Sequence, residues 1–313
     1  MAYGFDLTKF KDTDFVNQLH EMTGEFFAEG RTIDLIENQP GNKNKDSLNM
    51  FTNDITVQDG NGCGFNAVGD VNLIQKYVEV KPLKVNDKVC YKDLEKTYLA
   101  MYMKNTEIPF ERQLAESYLG KIRRFNEIFI WNGDASTDGL VKQIADASDG
   151  VIDASEVVED ASTSKIAQVN AMIGKATADI LESDDLRIFC STSFYVAYVQ
   201  ELIAENKYFL PADYNLGDKM KMELVVPGTM VILTPVVGLD HIDSQVDDGE
   251  LLIMTYSKNL VASYDGLNDE ERFEMIINPY DGNNLYVTAE WKLGSAYKWG
   301  NKIIKGYTLV AES

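Results

Sequence analysis

The most regular alternation of hydrophobic and polar positions lies in residues 285–299, LYVTAEWKLGSAYKW. The apolar face would carry Val287, Ala289, Trp291, Leu293, Tyr297 and Trp299, and the polar face Tyr286, Thr288, Glu290, Lys292 and Lys298. A period of two residues is typical of a β-strand with one buried face. The pattern predicts a strand much longer than the usual length of about five or six residues.

A second pattern, in residues 106–131, predicts a long amphipathic helix. Apolar side chains recur there every three or four residues and form one stripe: Phe110, Leu114, Tyr118, Ile122, Phe125 and Phe129. Thr106 is a candidate N-cap. The helix should end at Asn132 and Gly133, because glycine commonly follows the last turn of a helix.

Residues 50–85 predict a long β-hairpin that protrudes from the rest of the chain. Its arms would be residues 50–58 and 71–85, where apolar and polar residues alternate. The tip between them is rich in glycine, which leaves the backbone free to turn. Loops of this length usually carry a function or move.

The middle of the chain interleaves helices and strands, which predicts a compact mixed α/β unit. Helices are expected at 163–181 and 193–206, the second capped by Thr192 or Ser193. Short buried strands are expected at 186–192, 230–237 and 250–257, and plain β-structure follows residue 266. Nearer the start, residues 12–30 predict a short amphipathic helix.

The charge of the chain excludes some partners. Its 313 residues carry 50 acidic and 29 basic side chains, a net charge of −21. Such a chain should not seek nucleic-acid backbones, because that affinity rests on Lys and Arg. No apolar run reaches the roughly 18 residues needed to cross a bilayer. Residues 1–15 have no signal-peptide pattern, so we expect synthesis in the cytosol.

No catalytic or metal-binding constellation stands out. Cys63, Cys90 and Cys190 are widely spaced, and buried thiols are the default interpretation of Cys90 and Cys190. A catalytic pair of Cys190 and His241 is a weak alternative, since His241 lies in a polar stretch. The acidic clusters lack the spacing of a calcium loop, and we expect no cofactor and no enzymatic activity.

The order of these elements resembles the major capsid proteins of tailed bacteriophages, which have the Hong Kong 97-type fold. That family runs from an N-terminal arm through an extended loop, a peripheral domain with a long spine helix and an axial domain, then back to the peripheral sheet. Residues 88–99 and 109–134, KVCYKDLEKTYL and PFERQLAESYLGKIRRFNEIFIWNGD, resemble the family's run into the spine helix. Residues 226–236, VPGTMVILTPV, resemble an axial-domain strand. These local sequences most resemble those of capsid proteins from phages of gut bacteria, including crAss-like ones.

The resemblance implies an α+β fold in five parts. These would be an N-terminal arm (1–47), an extended-loop hairpin (48–85), a peripheral domain with the spine helix (86–149), an axial domain (150–262) and a returning peripheral sheet (263–313). It also implies that the spine helix packs on the long strand. The expected core residues are Phe110, Leu114, Ile122, Phe125, Phe129, Trp291, Leu293 and Trp299.

The function implied by the resemblance is assembly into a virion. Copies would form the hexamers and pentamers of an icosahedral head, built in the host cytoplasm, that encloses double-stranded DNA without reading its sequence. Scaffolding, portal and decoration proteins are further expected partners, and a membrane is not. Contacts between subunits are expected at the hairpin tip and the arm: Asp59, Gly60, Asn61, Gly62, Cys63, Phe65, Phe10 and Phe15.

Two departures from the family pattern modify these expectations. Some members cross-link their shells through a loop lysine, but no lysine lies between Lys45 and Lys76, so no cross-link from the tip is expected. The segment before the loop is too short for the fused scaffolding domain of some members. A separate scaffolding protein, or none, is therefore expected.

Three other functions stay open at the level of sequence. An encapsulin shares the fold and makes a cellular shell that is loaded with an enzyme. A tail-tube protein would polymerise into tubes. A soluble hydrolase, using carboxylates or Cys190, would be a compact monomer or dimer whose hairpin resists proteolysis.

Overall fold

The structure is a computed structural model. It describes residues 31–57, 69–90, 110–160, 164–183, 185–205, 223–242, 251–265, 272–281 and 284–309. The α-helices among them are α1 (Arg31–Leu35), α2 (Phe110–Asn132), α3 (Leu140–Ala145), α4 (Ser155–Asp160), α5 (Lys165–Gly174), α6 (Ala178–Leu181) and α7 (Thr192–Ala204). The strands are β1 (Glu37–Pro40), β2 (Lys45–Ile55), β3 (Gly69–Glu79), β4 (Lys81–Val89), β5 (Gly133–Asp134), β6 (Thr137–Asp138), β7 (Ile152–Asp153), β8 (Leu186–Cys190), β9 (Leu224–Val225), β10 (Ile232–Pro235), β11 (Ile253–Tyr256), β12 (Leu260–Tyr264), β13 (Arg272–Asn278), β14 (Asn284–Tyr297) and β15 (Ile304–Lys305).

The long strand β14 organises a five-stranded sheet. Its first part lies between β4 and β13, and its last part pairs with β12, which in turn pairs in parallel with β1. The predicted alternation is observed from Leu285 to Leu293, where every second side chain is buried. From Gly294 to Ala296 all residues are buried. The alternation ends there because the β2–β3 hairpin covers the other face of the sheet at Ala296.

The long helix α2 packs against the inner face of this sheet. Ile122, Phe129, Trp291 and Leu293 share one buried cluster. Trp291 Nε1 donates to Asn126 Oδ1 at 2.9 Å, which satisfies both polar groups inside the contact. The helix ends at Asn132, and Gly133 then adopts a φ of +66°, as its glycine predicted.

A six-stranded sheet forms the second layer of the molecule, in the order β7-β15-β11-β8-β10-β9. Helices α4 to α7 accompany it, and its core includes Ile188, Leu233, Met254 and Ile304. The N-cap of α7 is Ser191, whose hydroxyl accepts from Phe194 N at 3.2 Å, so the predicted caps Thr192 and Ser193 are wrong. The Thr192 hydroxyl instead donates to Asp240 at 2.7 Å.

Several segments that were predicted as single units divide in the structure, because their parts pair with different strands or form separate helices. The predicted hairpin arm 71–85 divides at Val80, because β3 pairs with β2 while β4 pairs with β14. The predicted returning sheet, 263–313, also divides, since β15 joins the six-stranded sheet through β11 and β7. The predicted helix 163–181 breaks after Gly174 into α5 and α6.

Three predicted burials also differ. The Phe125 side chain is 44% exposed, because it lies at the margin of the α2 stripe. Trp299 lies beyond β14 and is half-buried, and its backbone is held by Asn259. Cys90 follows β4 and is exposed. Leu114 is half-buried against the α2 core, and the Phe110 side chain lies outside the described residues.

Candidate interaction surface

Strands β2 and β3 form a two-stranded ribbon of their own. The register runs from Lys45 opposite Glu79 to Ile55 opposite Gly69. Residues directly opposite each other share a face of such a ribbon. The ribbon therefore has two distinct faces: one packs on the five-stranded sheet at its base, and the other is exposed.

The inner face of the ribbon is anchored to the five-stranded sheet at its base. Leu48 and Val78 are buried there with Val261 of β12 and Ala296 of β14. The side-chain amide of Asn42 donates to Val78 O at 3.3 Å, which also holds this end of the ribbon. These contacts fix the base of the hairpin to the body of the molecule.

A charged contact supports the same anchor. The Lys76 ammonium pairs with Asp149 and lies 3.8 Å from the centre of the Tyr297 ring, while the Tyr297 hydroxyl donates to Asp149 Oδ1 at 3.0 Å. Burial opposes ionisation of Asp149, but the hydrogen bonds from Lys76 and Tyr297 outweigh it, so its pKa is lowered. Burial, and then the bond to Asp149, raise the pKa of Tyr297.

The outer face of the ribbon is apolar and exposed. Phe51 and Leu73 lie opposite each other and are 66% and 77% exposed, and Val71 is exposed beside them. Towards the base the face becomes polar: Gln75 donates to Asn49 Oδ1 at 3.1 Å. We call Phe51, Val71, Leu73 and Tyr77 the hairpin outer face. Apolar groups this exposed on a narrow ribbon mark a surface for association.

None of the eight predicted contact residues belongs to the described part of the chain. Asp59, Gly60, Asn61, Gly62, Cys63, Phe65, Phe10 and Phe15 lie outside the described residues, so these contacts stay predictions. The sequence pattern predicted contacts at the hairpin tip and not at the hairpin outer face. The signal for that face was present, since Leu73 and Tyr77 alternate with Ile74 and Val78.

The described residues give little support to a hydrolase. Cys190 is fully buried, and this burial raises the pKa of its thiol, so it is not a ready nucleophile. His241 is exposed and lies 3.3 Å from the guanidinium of Arg124. Within the described ranges, no group of His, Cys, Asp and Glu could hold a metal ion. None of the helices in those ranges is long and apolar enough to cross a membrane.

Comparison with solved structures decides the fold. The capsid of an empty GTA particle matches with a TM-score of 0.57 and 10% identity over 90% of this chain and 90% of that chain. A chain of the satellite phage P4 procapsid matches with a TM-score of 0.54 and 11% identity over 98% and 92%. One from Gordonia phage Cozz matches with a TM-score of 0.54 and 11% identity over 91% and 87%. This chain has the Hong Kong 97-like capsid fold.

The predicted Hong Kong 97-like fold and α+β class are thereby confirmed. At 10–11% sequence identity, the similarity to these structures shows a shared fold and nothing further. The sequence matches no protein-family model, and it matches no curated protein.

Proposed function

We propose that this chain is the major capsid subunit of a phage-type shell. Copies assemble into hexamers and pentamers that close into an icosahedral head, and the role is structural, without a catalytic step or a cofactor. The fold supports this proposal, because the matched GTA and P4 structures are a capsid and a procapsid by their own descriptions. Fold alone does not fix function, so the proposal also needs a surface that drives assembly.

The hairpin outer face is the observation that carries the proposal. Phe51 and Leu73 stay exposed although the same ribbon is firmly anchored at Leu48 and Val78. Burying one such side chain against a neighbouring copy contributes about 1.5–3 kcal/mol. A shell repeats this contact in every subunit, and each subunit is held by several neighbours. Modest contacts of this kind are sufficient for a closed assembly.

The parts of the fold take the corresponding roles in this proposal. The hairpin is the extended loop, α2 is the spine helix, the five-stranded sheet belongs to the peripheral domain and the six-stranded sheet to the axial domain. The hairpin tip, Asp59–Phe65, and the arm residues Phe10 and Phe15 add contacts to neighbours. Scaffolding, portal and decoration proteins act as separate partners.

Double-stranded DNA is the proposed content of the shell, held without sequence-specific contacts in the virion. The net charge of −21 favours this arrangement, because a container for DNA gains from not adhering to it. An encapsulin-type shell filled with an enzyme is the alternative. Nuclease digestion and mass spectrometry of purified shells distinguish the two kinds of shell. Only a DNA-filled shell releases nucleotides, whereas an encapsulin-type shell releases a protein.

The test replaces two residues of the hairpin outer face. The variant Phe51→Asp with Leu73→Asp should leave the subunit folded, because both side chains are exposed, and should abolish shells seen by electron microscopy. The control, Asn86→Asp with Asn301→Asp, adds the same charge at exposed positions outside the hairpin and should assemble as the wild type does. Wild-type shell yield from the hairpin variant would contradict the proposal.

A further inference from the structure

Many basic residues of the described ranges pair with a carboxylate in this acidic chain, which carries 50 acidic and 29 basic side chains. The basic residues within 4.0 Å of a carboxylate include Lys76, Lys81, Lys88, Lys142, Arg187, Lys292, Lys298, Lys302 and Lys305. Single exposed lysines such as Lys175 and Lys258 also lack such a partner among the described residues, so a group of adjacent exposed cations is a stronger feature than any one of them.

The exposed side of α2 holds such a group. Lys121 and Arg124 lie one turn apart, both are exposed, and neither pairs with a carboxylate of the described residues. Arg124 Nη2 donates instead to His241 Nε2 at 3.3 Å. Arg123 is half-buried next to them.

An exposed aromatic ring completes this surface. Phe125 is 44% exposed, yet its ring stacks on Phe129 with 5.8 Å between centroids and meets Trp291 edge-on at 6.4 Å. The ring is therefore held in place while one side faces solvent. We call Lys121, Arg124, Phe125 and His241 the α2 basic face. Arginine beside a fixed aromatic ring is a combination enriched at protein–protein contacts.

We propose that the α2 basic face is a contact between copies, and that it binds a carboxylate-bearing segment of a second copy of this chain. The inference rests on the proposed shell function and specifies one of its contacts. Charge complementarity supports it, because every copy has an excess of 21 negative charges and must reduce repulsion to associate. Nucleic acid fits less well, since a few cations neutralise few phosphates and Phe125 offers them nothing.

The test reverses the charge of the face. The variant Lys121→Glu with Arg124→Glu is compared with Lys175→Glu with Lys258→Glu, which makes the same charge change at exposed lysines elsewhere. Shell yield is measured by sedimentation and electron microscopy over a salt series, and folding of each subunit by circular dichroism. We expect about a tenfold lower yield at low salt for the α2 variant than for the control.

The outcomes separate this inference from the proposed function. Equal yields of the two variants over the whole salt series would overturn the inference and leave the shell function standing. Normal yield with loss of enclosed nucleic acid would also overturn it and assign the face to the DNA. If the wild-type chain stays a monomer at every salt concentration and its hairpin resists limited proteolysis, the proposed function fails and the inference fails with it.

Discussion

Gly294 of β14 lies directly against the backbone carbonyl of Glu79, the last residue of β3. A Cβ atom at position 294 would lie 2.1 Å from Glu79 O and 2.9 Å from its carbonyl carbon. Those atoms belong to the backbone, so they cannot rotate away as a side chain can. Gly294 therefore permits the hairpin to cross the five-stranded sheet at this point.

Substitution of this glycine should loosen the base of the hairpin. We expect Gly294→Ala to lower the free energy of unfolding by about 1–3 kcal/mol, because the added methyl group forces the two strands apart. The control is Gly120→Ala in α2, where a Cβ meets nothing within 4 Å; it should stabilise the chain by about 1 kcal/mol. Urea unfolding of unassembled subunits measures both, and an unchanged value for Gly294→Ala would contradict this account.

A buried carboxylate joins α1 to α2. Glu127 accepts from Thr32 N at 2.9 Å and also from the Thr32 hydroxyl, which in turn accepts from Trp131 Nε1 at 3.0 Å. Burial raises the pKa of Glu127, Asp34 raises it further, and Thr32 and Arg31 oppose the rise. The folded chain therefore binds this proton more tightly than the unfolded chain does.

Because the folded chain holds the Glu127 proton more tightly, the free energy of unfolding should fall with increasing pH. The contribution of Glu127 is complete below the ordinary pKa of glutamate and is lost as the pH rises through the raised pKa. Glu127→Gln lacks this titrating group, so the wild type should lose stability relative to the variant as the pH rises from the ordinary pKa of glutamate through the raised pKa. The free energy of unfolding of Glu127→Gln minus that of the wild type should therefore increase with pH in this interval. Urea unfolding at a series of pH values measures it, with the exposed Glu159→Gln as control. A difference that stays constant with pH would refute the prediction.

Glu201 should give the opposite dependence. Its carboxylate on α7 accepts from Lys165 N at 2.7 Å and Ile166 N at 3.2 Å, at the start of α5, and from the Ser164 hydroxyl. Burial opposes ionisation, but these hydrogen bonds lower the pKa of Glu201. Its stabilisation is present above the ordinary pKa of glutamate and is lost as the pH falls through the lowered pKa.

The variant Glu201→Gln should therefore lower the stability of the chain near neutral pH, and lower it less in acid. We expect a loss of about 1 kcal/mol at neutral pH, as for other helix N-terminal caps, and a smaller loss below the lowered pKa. Thermal unfolding of unassembled subunits at both pH values measures the change. A loss of equal size in acid would show that the carboxylate acts by packing and not by its charge.

The lysines of the hairpin should not link subunits covalently. No lysine lies between Lys45 and Lys76, and at the base of the ribbon Lys76 is engaged by Asp149 and the Tyr297 ring. Lys45 lies 4.7 Å from the centre of the Tyr77 ring. We expect purified particles to dissolve into monomers on a denaturing gel. A ladder whose linked peptide contains either lysine would contradict this.

The strands and helices with one buried face were predictable from the sequence. Residues 285–293 alternate because their inner side chains pack on α2, and that packing leaves its period in the sequence. Partners are harder to predict, because a period of two specifies faces and not neighbours. At Val80 the apolar positions change phase, from Val78 and Val80 to Leu83 and Val85, and Pro82 lies at the start of β4, so the sequence did carry a signal of the boundary between β3 and β4.

The functional surfaces were predictable only in part. The hairpin was apparent from its alternation, but the exposure of Phe51 depends on which face meets the sheet. The contact of Thr32 with Glu127 joins residues 95 positions apart and has no sequence signal. The α2 basic face is equally hard to predict, since the lack of a carboxylate partner for Arg124 among the described residues depends on the three-dimensional positions of the nearby carboxylates.

Electron microscopy of the purified, concentrated wild-type chain across a range of salt tests the central claim most directly. The account predicts closed shells, or rings of five or six subunits, with salt-dependent yield, because an acidic subunit associates more readily when its charge is screened. A chain that stays a monomer at every salt concentration, with its hairpin resistant to limited proteolysis, would contradict the shell function.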